Sequence, residues 1–150
     1  MSTDSNSVDA ASLVQQAPDA MIFADRDGVI RVWNPAAERI FGYTADAAIG
    51  QDLNIIIPES LRDAHWTGYD RALAADDTKY RGQSLPTKAL RADGSTIYVE
   101  LSFAIIHGPA GDVIGAMAQA RDITERFECD RTTRRRLREL QEALDAKPTT

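Results

Sequence analysis

Residues 19–34 read DAMIFADRDGVIRVWN, and this stretch decides how the chain begins to fold. Two apolar runs, 20–25 and 29–33, have the length of β-strands and flank a short polar break. Within the break, Asp27 and Gly28 form the Asp-Gly pair that reverses a chain tightly, because glycine adopts a positive φ without strain. The stretch is therefore predicted to be a β-hairpin.

Short helices are predicted to follow the hairpin. Asn34 is a good helix N-cap and Pro35 suits the first helical position, so a helix should open here and end at Gly42. Two more brief helical pieces lead to Pro58. A longer helix, from 59 to about 75, comes after them.

The second half of the chain has strand character in three segments, predicted at 79–91, 95–106 and 113–122. An Asp-Gly pair at 93–94 supplies a second tight turn between the first two segments. The middle segment alternates in polarity, which places four apolar residues on one face: Ile97, Val99, Leu101 and Phe103. Two strands, several short helices and three further strands predict an α+β fold, with a five-stranded antiparallel sheet and the helices gathered on one face.

The two ends of the chain are predicted to lie outside the sheet domain, which spans 19–124. Residues 1–18 should form a polar tail and a short cap helix. Residues 125–150 are rich in helix formers, and three leucines there have the spacing of a narrow apolar seam: Leu137, Leu140 and Leu144. We expect this helical extension to pack back on the domain or to pair with a second copy in a homodimer.

The composition of the chain indicates which kinds of binding partner and which cellular compartment to expect. A length of 150 residues allows one domain with a core, and a net charge of −6 argues against nucleic-acid binding, which depends on clustered Lys and Arg. The one basic cluster, 131–138, is interpreted first as a solvated helix face and second as a partner-docking surface. With no membrane-spanning apolar stretch, no secretory signal and one cysteine, Cys129, the protein is expected to be cytoplasmic.

No sequence pattern indicates catalysis. The acidic residues that attract attention fall in turns, where they are favoured for local hydrogen bonds to the backbone: Asp25, Asp27, Asp93 and Asp112. The sequence contains no phosphate-binding glycine loop, metal-spaced cluster or nucleophile motif. We expect the chain not to be an enzyme.

His65, in the long helix, is the residue that most needs an explanation. Helical spacing predicts that it faces inward together with Leu61, Ala64, Gly68, Tyr69 and Ala72. A buried imidazole without a hydrogen-bond partner is destabilising, so His65 should have a partner. The small residues on this face would leave room for a flat ligand, although they would equally let the helix pack close to the sheet.

Three stretches, taken in order, resemble a PAS sensor domain. They are DAMIFADRDGVIRVWNPAAERIFGYTADAAIG at 19–50, RADGSTIYVELSFAII at 91–106 and GAMAQARDITER at 115–126. The resemblance implies a ligand pocket on the inner face of the sheet and an exit helix that carries a signal onward. It also implies a histidine kinase or cyclase effector, in cis or in trans, as in two-component systems.

The long helix is similar to that of the haem-binding PAS domains of FixL-type oxygen sensors from rhizobia. Those domains have a histidine after an Ile-Pro-Glu opening and an arginine six residues later, which correspond to His65 and Arg71. The similarity implies haem b, with His65 as the iron ligand and Arg71 beside a propionate. The implied cofactor contacts are His65, Gly68, Tyr69, Arg71, Leu85, Val99, Leu101 and Phe103.

One departure from these sensors concerns the gas. An ungapped match places Leu85 where they carry an arginine that hydrogen-bonds bound oxygen, and Gln83 or Trp66 are the alternative donors. Without a donor, oxygen is not the expected signal even if haem is bound. Two other functions stay open: a pocket for an unidentified small ligand, and a ligand-free PAS interaction module that mediates dimerisation.

Overall fold

The computed structural model describes residues 8–78 and 84–146. Five strands are present in this part of the chain: β1 Ala20–Asp25, β2 Ile30–Trp33, β3 Leu85–Leu90, β4 Thr96–His107 and β5 Val113–Asp122. The α-helices are α1 Ala10–Gln16, α2 Pro35–Phe41, α3 Ala45–Ala48, α4 Arg62–Ala75 and α5 Thr124–Asp145. Two 3₁₀ turns, Leu53–Ile55 and Glu59–Leu61, lead into α4.

The strands form one antiparallel sheet in the order β2-β1-β5-β4-β3. The predicted α+β fold with a five-stranded sheet is therefore confirmed. In β3 the strand begins at Leu85, whereas the prediction began at residue 79; residues 79–83 lie outside the described part of the chain. The other strand bounds differ from the prediction by one residue at most.

The first hairpin turns where the Asp-Gly pair predicts. The Asp25 carboxylate accepts hydrogen bonds from the Asp27 and Val29 amides, at 2.9 and 3.0 Å, which fixes the turn locally. Gly28 has a φ of +78°, a conformation that favours glycine. The turn is thus held by its own short-range chemistry.

Asn34 joins three elements at the end of the hairpin. Its side chain is fully buried and its Oδ1 accepts from the Met21 and Ala37 amides, at 2.9 and 3.0 Å. Its Nδ2 donates to the carbonyls of Val14 and Asp19, at 2.9 and 3.1 Å. The predicted N-cap is confirmed, and it also ties α1 and β1 to the start of α2.

The core is concentrated at one end of the sheet. Its buried cluster lies between the short helices and the sheet and comprises Ala20, Ile22, Ile30, Trp33, Ala37, Phe41, Ala48, Ala89, Ile97, Val99 and Ala120. Trp33 anchors it, since its indole N–H donates to the Tyr43 carbonyl at 3.0 Å and its ring lies 5.5 Å from that of Phe41. Burial of this apolar surface is the main stabilising contribution to the fold.

Among residues 8–78 and 84–146, the exit helix α5 is attached to the sheet through its first turn. Phe127 stacks on Tyr98 of β4, with ring centroids 4.0 Å apart, and Thr124 Oγ1 accepts from the Tyr98 amide at 3.0 Å. Arg126 donates to Glu100 at 3.0 Å. From residue 128 to residue 146 every position is exposed, so this part of α5 does not pack back on the domain.

Candidate functional site

The long helix α4 presents a different face to the molecule from the one that spacing predicts. Leu73 is buried and His65, Trp66, Tyr69 and Ala72 are half-buried, whereas Leu61, Ala64 and Gly68 are exposed. The inward orientation predicted for His65, Tyr69 and Ala72 is correct, and that of the other three residues is wrong. The inward face is centred on Trp66 and Tyr69, so it is rotated from the predicted stripe and aromatic rather than small.

His65 lies on this inward face with one ring nitrogen lacking a partner. Its Nδ1 is fully shielded from solvent and has no hydrogen bond within the described part of the chain. The imidazole stacks on Tyr69 at 5.8 Å and meets Trp66 edge-on at 4.8 Å. Burial lowers the pKa of His65 from its usual 6.5, against a weaker opposing attraction to Asp70, so the neutral form is favoured.

Tyr69 fixes α4 to the sheet. Its hydroxyl donates to the Asp25 carbonyl at 2.5 Å and lies 3.1 Å from that of Ala24, both at the end of β1. Burial, with the nearby Asp25 carboxylate, raises the pKa of Tyr69 to about 12. The phenol therefore stays protonated and able to donate at physiological pH, which holds His65 at a fixed distance from the sheet.

Trp66 anchors the other side of the same face. Its indole N–H donates to Asn54 Oδ1 at 2.8 Å, and its ring covers the β1–β2 turn. A Cβ added at Gly28 would lie 2.3 Å from the Trp66 ring, so the turn needs glycine for this close approach as well as for its φ. Trp66 is thus a packing residue, and the N–H that made it an alternative donor to bound oxygen is already bonded to Asn54.

Opposite α4, the inner face of the sheet is incompletely covered. Residues that pair directly across two antiparallel strands lie on the same face of the sheet. The buried Ile22 and Ala24 of β1 are therefore on the same face as four residues of β5 and β4 that align with them. These four are all half-buried and lie outside the core cluster: Phe103, Ile105, Ala116 and Ala118. These residues are therefore less completely covered than the core cluster near the other end of the same strands.

The remaining predicted contact residues divide between this open side and the core. Leu85 and Leu101 pair directly across β3 and β4 and are half-buried, on the row next to Phe103. Val99 is fully buried within the core cluster. Arg71 is exposed, and Gly68 faces open space, with nothing within 4 Å of an added Cβ.

Other kinds of site have little support among residues 8–78 and 84–146. No group of three or more His, Cys, Asp or Glu side chains there could hold a metal ion. No helix in the same residues combines the length and apolarity required to cross a bilayer. His107 is exposed and forms an ion pair with Asp76, the residue that follows α4, at 2.7 Å.

Comparison with known protein families shows which family the chain belongs to. The model of the PAS fold matches residues 9–123, which is most of the chain. The chain belongs to the PAS family. The resemblance inferred from the hairpin, the 91–106 stretch and the ending at 126 is thereby confirmed.

Two relatives of this PAS domain are sensor proteins. It is 34% identical over 133 residues to the sensor protein FixL of Bradyrhizobium diazoefficiens, a match that covers 89% of this chain and 25% of FixL. It is 29% identical over 111 residues to the oxygen sensor protein DosP of Escherichia coli, covering 74% of this chain and 14% of DosP. The chain thus spans a quarter or less of the length of these curated relatives.

A solved structure agrees with the fold. The PAS domain of a protein from Colwellia psychrerythraea superposes with a TM-score of 0.66 at 26% identity, covering 77% of this chain and 94% of that one. The chain is therefore a PAS sensory signalling domain related to FixL and DosP. PAS domains are typically non-catalytic sensor modules.

Proposed function

We propose that this PAS domain binds haem b beneath α4, with His65 as the iron ligand, and that it senses a diatomic gas in the cytoplasm. The observation that carries the proposal is the shielded His65 Nδ1, which has no hydrogen-bond partner among the described residues. A buried polar atom without a hydrogen-bond partner is rare in native proteins, and an iron bound by the imidazole would account for it here. A neutral imidazole, which burial favours here, is the form that ligates iron.

The chemistry of the surrounding side chains fits such a group. The half-buried apolar residues on the inner face, including Phe103, Ile105 and Ala118, suit a planar apolar ring. Arg71 lies six residues beyond His65 and is exposed, so its guanidinium is available to a propionate at the rim. When bound, haem supplies an iron with an open coordination position for a gas.

The residues of this chain would also influence which gas is preferred. Leu85, Leu101 and Phe103 offer no hydrogen-bond donor to a ligand on the sheet side of the ring. Bound oxygen carries partial negative charge and gains from a donor, whereas carbon monoxide depends on one much less. We therefore propose that oxygen is not the preferred ligand; Gln83, the alternative donor, lies outside the described residues.

Signal transfer would use the attachment of α5 to β4. Occupancy of the site can shift an equilibrium only if the ligand interacts differently with two arrangements of the sheet. The Tyr98–Phe127 stack and the bond from the Tyr98 amide to Thr124 place the start of α5 directly on β4. A histidine kinase or cyclase, in cis or in trans, is the proposed receiver.

An absorption spectrum tests this proposal, and the two histidines supply a matched pair of variants. Protein expressed with ample haem precursor should show a Soret band that His65→Ala removes and His107→Ala retains. Colourless wild-type protein that is otherwise folded would contradict the proposal. A band retained by His65→Ala would assign the ligand to another residue.

The exposed leucines of α5 favour a second candidate, a dimerisation module. Leu137, Leu140 and Leu144 are 62, 55 and 62% exposed, and apolar side chains at this spacing are typical of paired helices. Sedimentation should detect a concentration-dependent dimer that Leu137→Asp with Leu140→Asp weakens. A ligand-free module would show this dimer in colourless protein, and a monomer at all concentrations would count against it.

A further inference from the structure

Four arginines of α5 form a continuous basic stripe. Arg131, Arg134, Arg135 and Arg138 recur at spacings of three, four and seven residues, which places them on one face over about 10 Å of helix. The fifth arginine of this segment, Arg136, points about 160° away from Arg134 and Arg138 around the helix axis. Arg136 therefore does not belong to the stripe.

The stripe has no carboxylate partner within residues 8–78 and 84–146. None of its four guanidinium groups takes part in the ion pairs found there, which involve Arg31, His107, Arg121 and Arg126. The six arginines and six carboxylates of α5 cancel, so the net charge of −6 belongs to the rest of the chain. The unpaired stripe is thus a local positive field on an acidic protein.

A groove with an apolar floor runs beside the stripe. It encloses about 930 Å³ between α5 and the edge strand β3. Its apolar residues are Pro86, Ile123 and Phe127, and the four stripe arginines form its rim. Two carboxylates, Glu128 and Asp130, line the end nearest the domain, so the positive rim is centred on 131–138.

We propose that this groove docks an acidic segment of a partner protein. The segment would carry carboxylates at helical spacing, opposite the stripe, and at least one apolar side chain for the floor. Guanidinium groups pair with carboxylates through two parallel hydrogen bonds, which gives both attraction and register. This interaction lies outside the α4 site and does not require haem.

The groove suits a protein segment better than a nucleic acid. Binding of single strands relies on aromatic side chains that stack on bases, and Phe127 is already stacked on Tyr98. Four arginines over one and a half to two turns neutralise few phosphates, while the acidic remainder of the chain repels a longer polyanion. A short acidic peptide satisfies the stripe without approaching that acidic surface.

A peptide-binding experiment tests the assignment with the full chain. The probe is a fluorescent helical peptide with Glu at four positions spaced like the stripe and one Leu, compared with the same peptide carrying Gln in place of Glu. We expect the Glu peptide to bind and the Gln peptide not to. Arg134→Gln with Arg138→Gln should weaken binding about tenfold or more, a typical effect of removing two close charge partners.

The control compares two single substitutions that each remove one positive charge, Arg134→Gln on the stripe and Arg136→Gln off it. Arg136→Gln should leave binding of the Glu peptide nearly unchanged, and circular dichroism should confirm that all variants keep α5. Equal weakening by Arg134→Gln and Arg136→Gln would overturn the proposal, because it would indicate general attraction. Tighter binding of oligouridylate RNA than of the Glu peptide would also overturn it.

Discussion

The two ends of the sheet's inner face differ in how completely they are covered. At one end, α2, α3 and the first 3₁₀ turn pack on β1 and β2, and Phe41 and Ile30 are fully buried. At the other, α4 contacts β5 and is tied by Tyr69 to the end of β1 and by Trp66 to Asn54, and Phe103 is only half-buried. The first region holds the core, while the second is less buried and is where we propose that the ligand binds.

Truncation of one aromatic residue in each region would measure this difference. Phe41→Ala removes a fully buried ring from the core and should lower the free energy of unfolding by about 3–5 kcal/mol. Phe103→Ala removes a half-buried ring and should lower it by roughly 1–2 kcal/mol. Urea denaturation gives both values, and equal losses would mean that the two regions are packed alike.

Asn34→Ala tests whether the covered end depends on one buried polar side chain. The substitution leaves two amides and two carbonyls without the partner that Asn34 provides, and it removes the N-cap of α2. We expect a loss of about 2–3 kcal/mol. Thr44→Ala, at the exposed cap of the shorter helix α3, is the matched control and should lose less than half as much.

Tyr69→Phe tests the tie that holds α4 over the open side. It keeps the ring beside His65 and removes only the hydroxyl that donates to Asp25, so the stability loss should be about 1 kcal/mol. Hydrogen exchange should accelerate in α4 while it stays slow in α2. Tyr98→Phe is the control. Equally faster hydrogen exchange in α4 and α2 would show that the Tyr69 hydrogen bond does not act on α4 alone.

The lowered pKa of His65 predicts a small dependence of stability on pH. Because the folded-state pKa lies below the unfolded value of 6.5, the unfolded chain takes up a proton first as the pH falls. The His65 contribution is therefore complete above pH 6.5 and is lost as the pH falls through the folded-state pKa. In haem-free protein, His65→Gln should remove this slope and His107→Gln should retain it; the reverse result would place the titration at His107.

Local chemistry made much of the fold predictable. The Asp27-Gly28 turn and the Asn34 cap each depend on residues close together in the sequence, and both predictions are confirmed. The predicted alternation in β4 is seen in the burial of residues 96–100 and not in that of 101–106. The order of the elements was predicted from the same local patterns, and the family match supports it. These signals suffice because turns, caps and strand faces are set within a few residues.

The face of α4 was harder to predict because tertiary contacts set it. Spacing from Leu61 ignores the 3₁₀ turn that precedes α4 and the glycine turn that accepts the Trp66 ring. An aromatic alternative, Trp66 with Tyr69 and Leu73, has the same helical spacing and could have identified the correct face. The partners of Tyr69 lie 44 and 45 residues earlier in the chain, and no local signal could indicate them.

Titration of haem-free protein with haem tests the central claim most directly, because it separates ligation from a merely structural role of His65. The account predicts a Soret band that saturates at one equivalent in the wild type and in His107→Gly. In His65→Gly the ligated band should be absent and should return on addition of free imidazole. A His65→Gly protein that binds haem like the wild type without imidazole, or a wild type that never saturates, would contradict the account.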